Sequence, residues 1–185
     1  MPNLLIPQFL PGYPAHLHAH IAQLHAQGQL GTYIQTRYPT SHAIQSDKAL
    51  YDFCNELKQR YLKNAPLLDK VHFDNRLTVE KQTLGLNTAI SRVQGGKLKA
   101  KKEIRISAFF KTAPLEFLQM IVVHELAHLK ERDHDKAFYQ LCLHMEPHYM
   151  QYEFDCRVYL LLGALQKLQL DAGNRVRETL PGSNP

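Results

Sequence analysis

The sequence predicts an α+β domain, with a small antiparallel or mixed sheet packed on a central helix. A helical extension precedes it and further helices follow. Three observations predict this. Apolar residues recur at helical spacing over residues 47–63, from 115 onward and again from 147. Between those stretches the pattern changes to alternation, in Lys70–Phe73, Gly85–Arg92 and Glu103–Phe109. Hydrophobic residues are 44% of the chain and charged residues 21%, a globular composition that excludes disorder, collagen-like and coiled-coil classes.

At 185 residues the chain can bury about 70% of its unfolded surface without disulfides or partners. Residues 1–66 read as an arm and helical extension, 67–170 as the domain that carries the chemistry, and 171–185 as a disordered tail. Residues 1–13 read as irregular because Pro7 and Pro11 interrupt them. Met1–Leu10 has no basic flank and no small-residue cleavage site, so it reads as mature chain. A short helix over Pro14–Gln27 is stopped by Gly28 and Gly31, and residues 32–45 read as loop. Ser46 is the expected N-cap of a helix over Asp47–Lys63.

In the strand that follows Gly95-Gly96, Ile104 and Ile106 alternate with charged residues and belong on the buried face. Were Glu103–Ala108 the sheet edge, either an extended peptide could pair with it, or Lys101, Lys102, Glu103 and Arg105 would merely blunt it by charge. Pro114 opens the next helix. That helix should end near Lys130–Asp133, with Asp133 capping a helix from about Asp135 to Met145. Pro147 starts the last helix, to about Gln169.

No apolar run approaches the roughly 18 residues that a membrane helix needs. Cys54, Cys142 and Cys156 are widely spaced and odd in number. That is no disulfide framework and no cysteine zinc site, and it suits a reducing cytoplasm. Net charge is +5, which permits nucleic-acid contact without implying it. Lys97, Lys99, Lys101, Lys102 and Arg105 form a basic hairpin without interleaved aromatics. It reads as a solvated tip, with phosphate contact as the alternative. His16, His18, His20 and His25 crowd the first helix with no carboxylate or Cys beside them, and read as a solvated face.

The chemistry lies in His124-Glu125-Leu126-Ala127-His128. Residues four apart on a helix share a face, so His124 and His128 can ligate one Zn²⁺ per chain. Glu125 can reach a water on that metal without ligating it, and serve as general base. Ile121, Val122, Val123, Leu126 and Ala127 make this helix apolar on most sides. Buried polar groups in such a helix need a partner, and a metal supplies one. A catalytic zinc takes a third protein ligand. His134, six residues after His128, is the leading candidate, with Glu146 and Glu153 as rivals.

Val122-Val123-His124-Glu125-Leu126-Ala127-His128-Leu129, His134-Asp135-Lys136-Ala137-Phe138-Tyr139 and Met145-Glu146-Pro147-His148-Tyr149 together resemble the YgjP-like metallopeptidases, relatives of the SprT-like zincins. The resemblance spans about residues 67–155 and is most specific over 122–149. It implies a zincin-like fold, with His124, His128 and His134 as zinc ligands and Glu125 as base. The family's Trp-Gly pair before the active-site helix is missing; Leu84-Gly85 stands nearest, and the chain has no Trp.

The expected function is therefore a cytoplasmic zinc metallopeptidase acting on a peptide or protein substrate. One alternative is a SprT-like protease acting on DNA-bound proteins. The other is a non-catalytic zinc-stabilised binding module with the N-terminal helices over the cleft. Tyr149, His148, Tyr152 and Arg157 are all possible oxyanion donors, and the sequence selects none of them.

Overall fold

A computed structural model of the chain describes residues 2–77, 85–94 and 97–179, with side chains over 4–77 and 102–171. It divides into two compact units, residues 40–153 and residues 1–39 with 154–185. No helix among the described residues is long and apolar enough to cross a membrane.

The 40–153 unit opens with α4 (Asp47–Tyr61), capped by Ser46, whose Oγ accepts from the Ala49 N–H at 3.1 Å. Leu50, Cys54 and Leu57 form its buried stripe. Strand β1 (Lys70–Asp74) follows, then β2 (Gly85–Gln94) and β3 (Lys97–Ser107). The sheet order is β1-β3-β2. Strand β1 pairs with β3 in parallel, His72 opposite Arg105, and β2 pairs with β3 antiparallel. The sheet is thus mixed, and a wholly antiparallel sheet is excluded.

One consequence corrects the sequence reading. Glu103 to Ile106 are paired on both sides, so this strand is central and offers no edge to a peptide. Alternation shows which face of a strand is buried but not which strands flank it. Ile104 and Ile106 are fully buried, as their alternation predicts. The chain leaves β3 through a 3₁₀ turn (Ala108–Lys111) and enters α5 (Leu115–Ala127). Helix α5 packs on α4, β2, β3 and α6 (Lys136–Met145).

Asp74 ends β1. Its carboxylate accepts from Arg76 through Nε at 3.1 Å, Nη2 at 3.0 Å and the backbone N–H at 2.9 Å, and from Arg105 Nη1 at 3.4 Å. Arg76, and after it Arg105, hold the carboxyl well below the usual range. A carboxyl depressed on folding stabilises fully above its unfolded pKa of about 3.9 and loses that contribution as pH falls. The stability gap between wild type and Asp74→Asn in urea titrations should therefore shrink from pH 7 to pH 3.

The other unit joins α1 (Pro2–Phe9), α2 (Ala15–Ala26), α3 (Leu30–Arg37) and the part of α7 (Tyr149–Thr179) beyond Glu153. Residues 1–13 were expected to be irregular, yet α1 forms. Burial of Ile6, Phe9 and Leu10 outweighs the hydrogen bond that Pro7 removes. Helix α3 falls in the predicted loop, with Leu30 and Ile34 buried. Gly28, at φ 68°, ends α2 as expected, whereas Gly31 lies inside α3. Helix α7 runs past Gln169 to Thr179, through most of the expected tail; residues 180–185 lie outside the described residues. By contacts α4 groups with the sheet, and the final helix beyond Glu153 groups with residues 1–39.

Asp155 anchors this second unit. Its carboxylate is fully buried and accepts from Tyr33 Oη at 2.8 Å, Tyr38 Oη at 2.6 Å and Arg37 Nη1 at 3.1 Å. Deleting one partner of a buried charged network strands the others. Asp155→Ala should cost roughly 3 kcal/mol in denaturant unfolding.

Candidate metal centre

Helix α5 is apolar nearly all round: Phe117, Leu118, Met120, Ile121, Val122, Val123, Leu126 and Ala127 are buried. His124 and Glu125 sit in its last turn and His128 is its C-cap. The helix stops at Ala127, slightly earlier than the sequence suggests. Asp135, not Asp133, caps α6, accepting from the Phe138 N–H at 3.1 Å. The intervening turn carries His134 back over the end of α5.

There the three imidazoles converge. Their candidate ligand nitrogens all lie within 4.8 Å of one another. His134 Nε2 is 3.1 Å from His128 Nε2 and 3.2 Å from His124 Nε2. Among the described residues this is the one such group of His, Cys, Asp or Glu. Neither rival belongs to it. Glu146 instead accepts from Gln119 Nε2 and from the His148 N–H, and Glu153 is outside the group.

The donor set suits a metal. His128 Nδ1 donates to the Glu131 carbonyl at 2.9 Å, which leaves Nε2 as a lone pair. Burial and the neighbouring His128 lower the pKa of His134, against the pull of Asp133, and so favour its neutral, ligating form. With all three nitrogens unprotonated, their lone pairs would repel unless a cation lay between them. Tetrahedral bonds of about 2.05 Å would set such nitrogens about 3.3 Å apart. His124 and His128 are half-buried and His134 is exposed, so the group lies at the surface on the side of His134.

Phe138 forms an apolar floor, with its ring centroid 4.7–5.0 Å from each of the three imidazoles. Glu125 is 3% exposed. Cys54 on α4 lies near it: burial, and after it the Glu125 charge, push the thiol up, so Cys54 stays protonated.

Sequence reasoning offers Tyr149 only as one of four possible oxyanion donors and does not point to Phe138 or the Glu131 carbonyl. Tyr149 is 1% exposed, with its hydroxyl 2.8 Å from His124 Nδ1, and is too buried to meet a substrate oxyanion. Its contact spans 25 positions, and no local periodicity reports such a pair. Of the basic hairpin's cations, the described side chains are those of Lys102 and Arg105. Arg105 turns to Asp74, and the side chains of residues 78–101 lie outside those described. The histidines of α2 make no metal group either: His18 Nε2 bonds the Leu10 carbonyl at 2.8 Å, and His20 packs on Tyr33.

A family model described as "YgjP-like, metallopeptidase domain" matches residues 13–155. The chain is also 55% identical over 152 residues to a UTP pyrophosphatase of Escherichia coli (strain K12), covering 82% of this chain and 91% of that protein. An aligned stretch of that length within 185 residues must include the three histidines. No solved structure matches the chain.

Proposed function

The chain belongs to the YgjP-like metallopeptidase family, and on that premise we propose that it is a zinc-dependent hydrolase acting on UTP. The reaction is attack of water on the α-phosphorus, breaking the bond to the bridging oxygen and yielding UMP and pyrophosphate. The observation that carries this reading is the 55% identity to a UTP pyrophosphatase over a stretch that spans the histidine cluster. His124, His128 and His134 would hold one metal ion per chain. Zinc bound there would lower the pKa of water toward about 7 and supply positive charge to phosphate oxygens. Glu125 would take the proton from the attacking water. Phe138 excludes water beneath the imidazoles and fixes their planes. Lys130, Arg132 and Lys136, exposed around the turn that carries His134, supply cationic side chains for a polyphosphate. In this reading the protein works in the cytoplasm, where the buried free Cys54, Cys142 and Cys156 stay reduced.

The second reading is a zinc metallopeptidase, favoured by the family's description. The same three histidines and Glu125 would serve it, because neither distinguishes a carbonyl from a phosphoryl centre. Glu103–Ile106 offers it no edge for a peptide, being paired on both sides. A protease acting on DNA-bound proteins would further require DNA affinity that weakens steeply with salt. A zinc-stabilised binding module would leave Glu125→Gln indistinguishable from wild type.

The test is to incubate zinc-loaded protein with UTP and with a peptide library, and to measure pyrophosphate, orthophosphate and cleaved peptides. Pyrophosphate and UMP in equal amounts, abolished by chelation, is the expected result. Peptide cleavage without UTP turnover would replace the first reading by the second.

A further inference from the structure

We propose that Tyr149 is a positioning residue of the metal centre, its hydroxyl fixing the ring orientation and tautomer of His124. This rests on the metal-centre reading above. A histidine ligates through Nε2 only if its proton sits on Nδ1, and the partner of Nδ1 decides that. For His128 the partner is the Glu131 carbonyl. For His124 it is the Tyr149 hydroxyl, at 2.8 Å. The two rings are nearly parallel, with centroids 6.5 Å apart and planes 17° apart.

A hydroxyl can donate as well as accept, and the facing imidazoles settle its direction. His124 Nε2 lies 3.2 Å from His134 Nε2, among the three converging nitrogens. For Nε2 to serve as a ligand there its lone pair must face the cluster, so the proton sits on Nδ1. The Tyr149 oxygen then accepts from Nδ1–H.

The backbone around Tyr149 is held to the same end. Gln119, on α5 before His124, donates through Nε2 to Glu146. The other oxygen of Glu146 accepts from the His148 N–H at 2.9 Å, and its carbonyl accepts from the Tyr149 N–H at 3.0 Å. Glu146 thus ties the first turn of α7 to α5, the helix that carries His124. This gives the buried Glu146 a role other than ligation.

The test is Tyr149→Phe, which keeps the ring and removes the hydroxyl. Zinc affinity of the apo-protein, measured by competition with a chromophoric chelator, should fall about 10–100-fold. The visible spectrum of the cobalt-substituted variant should change, while the apo-protein stays folded. Unchanged affinity with an unchanged cobalt spectrum would overturn the proposal. If the variant fails to fold, ¹⁵N-edited NMR of wild-type apo-protein decides: the Nδ1–H tautomer at His124 is expected, and the Nε2–H tautomer overturns the proposal. Absence of zinc binding by wild type itself would instead remove the metal centre, a failure separate from loss of the tyrosine effect.

Discussion

Glu125→Gln should lower the rate of hydrolysis about 10²–10⁴-fold, the range general acid–base catalysis supplies. It should leave one metal per chain. The substitution keeps the shape of the side chain and removes its ability to accept a proton. Glu125 sits next to His124 on α5, is 3% exposed, and is not among the three converging histidines. Loss of the carboxylate should therefore separate binding from chemistry: metal content by elemental analysis unchanged, kcat collapsed. Near-normal turnover by a folded, metal-loaded variant would remove Glu125 as the base.

His134→Ala should strip the metal. Two histidines on one turn of α5 can hold zinc only weakly, and the third reaches them from the turn between α5 and α6 at 3.1 and 3.2 Å. Loss of a ligand should exceed the 10–100-fold typical of losing a supporting partner. Zinc affinity is expected to drop more than about 100-fold, with activity lost in parallel. His134 is exposed, so the Tm of the metal-free protein should hardly move. A variant that keeps wild-type zinc affinity would take His134 out of the site.

The histidine cluster was legible because its signal is local. His124 and His128 sit one helical turn apart in an apolar helix, and His134 follows after a short polar run. The helix cap at Ser46 and the buried pair Ile104 and Ile106 were legible for the same reason. What escaped depends on distant residues. The parallel pairing of Lys70–Asp74 with Glu103–Ser107 joins segments about thirty positions apart, so a strand that looked like an edge is central. Helices α1 and α3 form because Ile6, Leu10, Leu30 and Ile34 find buried places, which proline and turn signals do not report. Tyr149 reaches His124 from another helix. The choice between a peptide and UTP was not legible either, because a general base and a three-histidine site serve both reactions.

The unit anchored by Asp155 has a consequence for the order of synthesis. Tyr33, Arg37 and Tyr38 leave the ribosome early, but the carboxylate they bind comes from the last helix. Tyr13 likewise waits for Phe154, its edge-on ring partner at 5.0 Å. At 5–20 residues per second the wait is on the order of ten seconds. During it the whole stretch from Thr40 to Glu153, the histidine cluster included, is made. The centre of the chain can thus fold first, while Tyr13, Tyr33, Arg37 and Tyr38 stay without these partners until Phe154 and Asp155 have been made.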